Sequence, residues 1–231
     1  MRRLIVGLAF AGAFACASPP PPVVYYPQGS GGSVISTPSQ TPAGPRAAQG
    51  PFQPDYYLYA CTPSFSNRPN TDRSGRILGY NALVVVNNVI LAAAPTNGAC
   101  MTSGFGRRFG RMHKGIDLQA RPAVPVYSTA PGRVLEVSTQ TGFGRQVLID
   151  HGNGVYSRYA HLAYFTDGLA AGQQIGFGQP LGLMGATGNA TALHVHYEIL
   201  TGNYNTPRKS WGLDAHNPLD FPRWSGLDGL S

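Results

Sequence analysis

From residue 101 to about residue 222 the apolar residues come in short runs separated by glycine-rich turns, a β pattern. Segments 124–128, 133–138, 146–150, 155–162, 181–184 and 193–200 read as strands. The turns between them include Thr141-Gly142-Phe143-Gly144, His151-Gly152-Asn153-Gly154 and Gly188-Asn189. Upstream, Leu83-Val84-Val85-Val86 and Val89-Ile90-Leu91 flank Asn87-Asn88, which predicts a tight hairpin. No long stretch carries a helical period, and no internal repeat emerges. The expected fold class is all-β: an antiparallel, sandwich-like domain with Gly-rich loops.

The N-terminal part lacks this pattern. Residues 18–54 begin with four consecutive prolines from Pro19 and continue in Gly, Ser, Thr, Gln and Pro. Such a segment buries too little apolar surface to fold, so it is expected to be a disordered Pro-rich tether. Residues 1–17 read as a signal peptide: Arg2 and Arg3, then an apolar run over 4–14 too short to span a bilayer, then Ala15 and Ala17 around a cleavage point. The other reading makes Cys16 a lipid anchor, though Ala13 and Phe14 fit a lipidation motif poorly. The mature chain is then exported, to the periplasm, cell envelope or medium, as a monomer without a transmembrane helix. Residues 55–100 are read as a small β-extension, 101–222 as the main domain and 223–231 as a tail.

Composition narrows the partners. Charged residues are 12% of the 231, and the formal net charge is +7. Loss of Arg2 and Arg3 with the signal leaves 15 basic against 10 acidic residues, a charge of +5. A basic exported protein suits an anionic polymer; no nucleic-acid module is present, so nucleic acid is set aside. Cys61 and Cys100 remain once Cys16 is removed or lipidated, and two cysteines in an oxidising compartment suggest a disulfide. A zinc role for them is weaker, since no Cys-x-x-Cys pair occurs.

Four of the six histidines fall in three short motifs. His113 and Asp117 are four residues apart, roughly 13 Å along a straight strand, so joint metal binding requires a bend. Gly115 permits one. Alone, the pair could equally be a surface turn. In Tyr159-Ala160-His161-Leu162, period two places Tyr159 and His161 on one face. In His194-Val195-His196-Tyr197-Glu198 the two histidines and the glutamate share a face. Both histidines could address one metal, or one could bind it while the other meets substrate. Glu198 could orient a ligand or end the strand in solvent. His-Glu-x-x-His and Gly-x-Ser-x-Gly motifs are absent.

These motifs, in this order, resemble the lysostaphin/LytM-type zinc metallopeptidases. The likeness extends to Thr102-Ser103-Gly104-Phe105-Gly106-Arg107-Arg108 as an opening strand. It also takes in Gly185-Ala186-Thr187-Gly188 before the His194 motif and Asn217-Pro218-Leu219-Asp220 near the end. Ala190-Thr191-Ala192-Leu193 departs from the family's usual approach to that motif. The resemblance implies a zinc site of His113, Asp117 and His196, with His161 and His194 as catalytic histidines. It implies a peptidoglycan endopeptidase, by likeness one that cuts D-alanyl–diaminopimelate cross-links. A non-catalytic relative that binds the wall or activates amidases is the alternative. His151 and His216 read as structural. Arg107, Arg108, Arg111 and Lys114 read as either an attractor of substrate carboxylates or a solvated basic turn.

Overall fold

The structure, a computed structural model, describes residues 52–226 other than Ser66. The signal peptide, Cys16, most of the tether and the last five residues of the tail lie outside the described residues. Within them, secondary structure is almost entirely β. The strands are β1 (Leu83–Val86), β2 (Val89–Ala92), β3 (Cys100–Ser103), β4 (Gly106–Arg108), β5 (Arg111–His113), β6 (Ile116–Gln119), β7 (Pro125–Tyr127) and β8 (Gly132–Gln140). They continue with β9 (Gly144–Asp150), β10 (Val155–Leu162), β11 (Tyr164–Phe165), β12 (Gln174–Ile175), β13 (Pro180–Leu183), β14 (Val195–Thr201) and β15 (Asp214–His216). Among the described residues the one helical turn is a 3-10 segment, Lys209–Gly212. No helix there is long and apolar enough to cross a membrane.

The main sheet has eight antiparallel strands in the order β12-β8-β9-β10-β14-β6-β3, with β15 also on β14. One edge of β14 serves two partners. Its first half pairs with β6 and its second half with β15. The strands β11, β13 and β7 form a smaller sheet. Between the layers lies a continuous apolar core that includes Val134, Val147, Ile149, Tyr159, Val195, Tyr197, Leu181 and Met184. Leu58, Ile77, Val84, Val86 and Leu91 join the same core from the segment before residue 101. The other face of the main sheet carries a small apolar cluster of Leu148, Tyr156, Leu200 and Leu213. Next to it, on the same face, lie Arg158, His196 and Glu198.

The expected strands are present, with ends displaced by a few residues. The Asn87-Asn88 turn takes φ of 45° and 64°, the left-handed pair that a two-residue hairpin needs and that asparagine tolerates. Cys61 and Cys100 form a disulfide. Two sequence readings are corrected. The opening strand over 102–108 is two strands, β3 and β4, broken at Gly104-Phe105. A side chain at Gly104 would meet the Asn67 carbonyl at 2.3 Å, so the chain turns there against another loop. Leu193 and His194 also precede β14 rather than begin it, although His194 makes an isolated bridge to Gly185.

Candidate metal centre

Asp117 and His196 are directly opposite in the β6–β14 register, so one residue pair of the ladder sets two side chains side by side. His113 ends β5, and the chain doubles over β14 at Gly115 to bring it back. A Cβ on Gly115 would lie 2.3 Å from the Tyr197 carbonyl and 2.9 Å from the His196 ring, so only glycine permits this approach. The bend that the four-residue spacing required is thus supplied by close packing across the sheet.

His113 Nε2, His196 Nδ1 and Asp117 Oδ1 converge. Their separations are 3.1 Å for His113 to Asp117, 3.0 Å between the histidines and 2.9 Å for His196 to Asp117. Three ligands at about 2.0–2.2 Å from a tetrahedral ion stand about 3.3–3.6 Å apart, a few tenths of an ångström wider than this triangle. The outward atoms fix the tautomers. His113 Nδ1 donates to the Gly104 carbonyl at 2.7 Å, which leaves its Nε2 with a lone pair. His196 Nε2 donates to Glu198 Oε1 at 3.0 Å, which turns its Nδ1 inward. All three residues are buried. The donor set and its spacing fit zinc.

Charge in the centre is balanced by buried partners. Burial would raise the Asp117 carboxyl, but the adjoining His113 and His196 side chains hold it well below the usual carboxylate range. Arg108 Nη1 donates to Asp117 Oδ2 at 3.0 Å and to Ser103 Oγ at 2.7 Å, so one carboxylate oxygen is tied and the other faces the centre. Burial alone would depress His196, yet Asp117 and Glu198 lift its imidazole above the ordinary range. A cation held by His113, Asp117 and His196 would replace the proton so favoured. Glu198 is itself paired with Arg158 at 2.8 Å, with both side chains inside the sheet's cover. Of the two readings for Glu198, the orienting one holds and the solvated one does not.

His161 and His194 flank the centre. Their rings lie 4.7 Å apart. His161 Nδ1 donates to the Thr187 carbonyl at 2.7 Å and His194 Nδ1 to the Ala192 carbonyl at 2.8 Å. Each therefore presents an Nε2 lone pair. Burial, partly offset by the Thr187 hydrogen bond, lowers His161 to about 4, so it is neutral at pH 7. His194 Nε2 stands 3.7 Å from Asp117 Oδ1, outside the triangle of converging donors.

The face of His161 departs from period two. Tyr159 points into the core against Tyr197, whereas His161 lies on the His196 side, 6.0 Å from that ring. The β9–β10 register slips between Tyr159 and Leu162, and His161 takes φ of 63°. A bulge thus transfers one side chain to the opposite face. The Thr187 carbonyl that holds His161 is fixed by a backbone contact. A Cβ on Gly144 would meet Thr187 and Gly188 within 2.5 Å, so the two glycine turns interlock.

Sequence reasoning missed the orienting partners: the Gly104, Thr187 and Ala192 carbonyls and the Arg158–Glu198 pair. Backbone carbonyls leave no residue-type signal, and the ion pair is visible only once the β10–β14 register is known. Arg108 fits neither reading offered for the basic turn. Arg111 lines an open cavity of about 710 Å³ beside the centre, together with Phe109, Met112 and Asn189. His151 donates to the Pro131 carbonyl and bonds Ser157, and His216 bonds Thr201, so both are structural.

Residues 111–207 match Peptidase family M23. The chain is 41% identical over 137 residues to DD-carboxypeptidase/endopeptidase Mpg of Neisseria meningitidis serogroup B, covering 55% of this chain and 29% of that protein. It is 36% identical over 110 residues to peptidoglycan DD-endopeptidase ShyB of Vibrio cholerae, covering 45% and 25%. It thus spans under a third of either relative. A solved zinc-containing peptidase from Vibrio cholerae superposes with a TM-score of 0.49 at 25% identity, covering 61% of this chain and 46% of that one. The matched segment holds the β5–β6 bend, the three converging donors His113, Asp117 and His196, and the flanking His161 and His194, and over that segment the chain is similar to Peptidase family M23.

Proposed function

We propose that this domain is a zinc-dependent endopeptidase acting on the peptide cross-links of bacterial peptidoglycan, at D-alanyl–diaminopimelate bonds. The observation that carries the reading is the pairing of three convergent, buried donors with two tautomer-fixed imidazoles that lie beside them. His113, Asp117 and His196 would hold zinc. When bound, zinc supplies Lewis-acid polarisation and makes water more acidic. His161, neutral and with its Nε2 free, is placed to take a proton from the attacking water. That proton would then pass from His161 to the leaving amine, and His194, held by Ala192, would steady the developing oxyanion once its own Nε2 carries a proton. Arg108 keeps Asp117 in one orientation and keeps its second oxygen occupied.

The bond assignment draws on the DD-endopeptidase names of the two relatives. Action on peptidoglycan implies a place in the cell envelope, consistent with the export signal read in residues 1–17. Digestion of purified sacculi, with mass spectrometry of the products, tests the reading. Release of monomers from D-alanyl–diaminopimelate dimers is the expected result. Products cut elsewhere would correct the bond, and no products at all would leave a wall-binding protein.

A further inference from the structure

On a part of the surface lined by none of the metal-centre residues, the segment before residue 101 and the C-terminal segment enclose an open cavity of about 440 Å³. The C-terminal segment is fixed there by an isolated bridge to β1: Val85 N donates to the Pro222 carbonyl and Trp224 N to the Leu83 carbonyl. The cavity is lined by Tyr56, Tyr57, Tyr80 and Trp224, together with Arg76 and Arg223. Three of the rings are open to solvent: Tyr56 is 69% exposed, Tyr57 41% and Trp224 40%. The Arg76 guanidinium lies over the Tyr57 ring, 3.7 Å from its centroid. The fold gains nothing from leaving three aromatic rings wet around one hollow. Clustered exposure of this kind marks a binding surface.

We infer that this cavity is a second site, for an anionic saccharide strand, and that it anchors the protein on the glycan of the polymer whose peptides the metal centre cuts. The inference rests on the reading given under Proposed function. Tyr and Trp offer a flat apolar face to the C–H face of a sugar ring and a polar edge to its hydroxyls. The two guanidinium groups add paired donors for carboxylates on the strand. The volume falls within the roughly 300–1,000 Å³ of small-ligand sites. Aromatic grooves also bind proline-rich peptides, and this chain has one in residues 18–54. That segment contains no Asp or Glu, so it offers nothing to Arg76 and Arg223. A wall glycan carries the rings, and wherever it has lost its stem peptides it also exposes lactyl carboxylates. Two sites on one polymer raise the effective concentration of peptide at the metal centre.

The test uses the mature chain, its Trp224→Ala and Tyr56→Ala forms, and a peptide-free N-acetylglucosamine–N-acetylmuramic acid tetrasaccharide as probe. Both substituted side chains are exposed, so the fold is kept. Calorimetry should show the tetrasaccharide bound by the parent and about tenfold more weakly by each variant. Co-sedimentation with sacculi should fall in parallel. Turnover of a soluble cross-linked muropeptide dimer should be unchanged, since neither residue touches the metal centre. If the tetrasaccharide fails to bind, or binds both variants as well as the parent, the inference is overturned. It is also overturned if a synthetic peptide of residues 18–54 occupies the cavity in its place. A parent protein that binds the tetrasaccharide but leaves the dimer intact would instead overturn the hydrolase reading and spare the glycan site.

Discussion

His161 shows how much one residue can change. Strand alternation from Tyr159 sends it into the core, and a single left-handed residue at a bulge sends it to the metal centre instead. Composition and period could nominate His161 but could not choose its face, because bulges have no residue signature as plain as Asn-Asn in a hairpin. The donor triangle was more legible. The spacing of His113 and Asp117 around Gly115 demanded a bend, and the bend is there. If the triangle holds zinc without help from His161 or His194, replacing either by Ala should leave one zinc per chain by elemental analysis. Turnover on a muropeptide dimer should fall by about 10²–10⁴-fold, the usual worth of a general acid or base. Loss of zinc in His194→Ala would make His194 a ligand. A second residue-scale prediction concerns His151. Burial pushes its imidazole down to about 4, against an ordinary value of 6.5. Between those values the unfolded chain binds more protons than the folded one, so stability is full above about pH 6.5 and declines as pH falls toward 4. Melting temperature should drop across that window, and His151→Gln should flatten the drop.

At the scale of elements, the sequence announces strands but not their partners. The β1–β2 hairpin, β8, β9, β10 and β14 could be read from apolar runs and turn residues. The sharing of the β14 edge between β6 and β15 could not, since it depends on pairing across about 80 residues of chain, His196 to Asp117 among them. The break between β3 and β4 was also hidden. It arises from Gly104 pressing on the Asn67 loop, a contact 37 residues away. Gly115 is where this long-range pairing is most exposed to test. In Gly115→Ala the new methyl would sit against the Tyr197 carbonyl, so β6 and β14 must separate or the bend must open. Overpacking of this kind costs about 1–3 kcal/mol. Urea denaturation should show that loss, and zinc titration should show weaker binding, because Asp117 and His196 are opposed on those same strands. Unchanged zinc affinity in a destabilised protein would mean that the centre does not depend on the β6–β14 spacing.

The whole molecule separates its two tasks by face. One face of the main sheet meets the smaller sheet and the hairpin in an apolar core that contains none of His113, Asp117 and His196. The opposite face carries His196, Glu198 and Arg158 over a minor apolar cluster. This arrangement implies that a metal stabilises the fold without being required for it. A ligand that binds only the folded form stabilises it by about 4 kcal/mol when present at 1,000 times its dissociation constant. A chelator should therefore lower the melting temperature while the β-sheet signal in far-UV circular dichroism persists at 25 °C. The buried triangle left behind should take up a proton on His196, which Asp117 and Glu198 favour. Hydrolysis of sacculi should stop with metal removal and return when one equivalent of zinc is restored. Collapse of the circular dichroism signal on chelation would show that the metal is needed to hold the sheet together. Hydrolysis that continues in protein verified to be metal-free would show that the triangle of His113, Asp117 and His196 is not the catalytic centre.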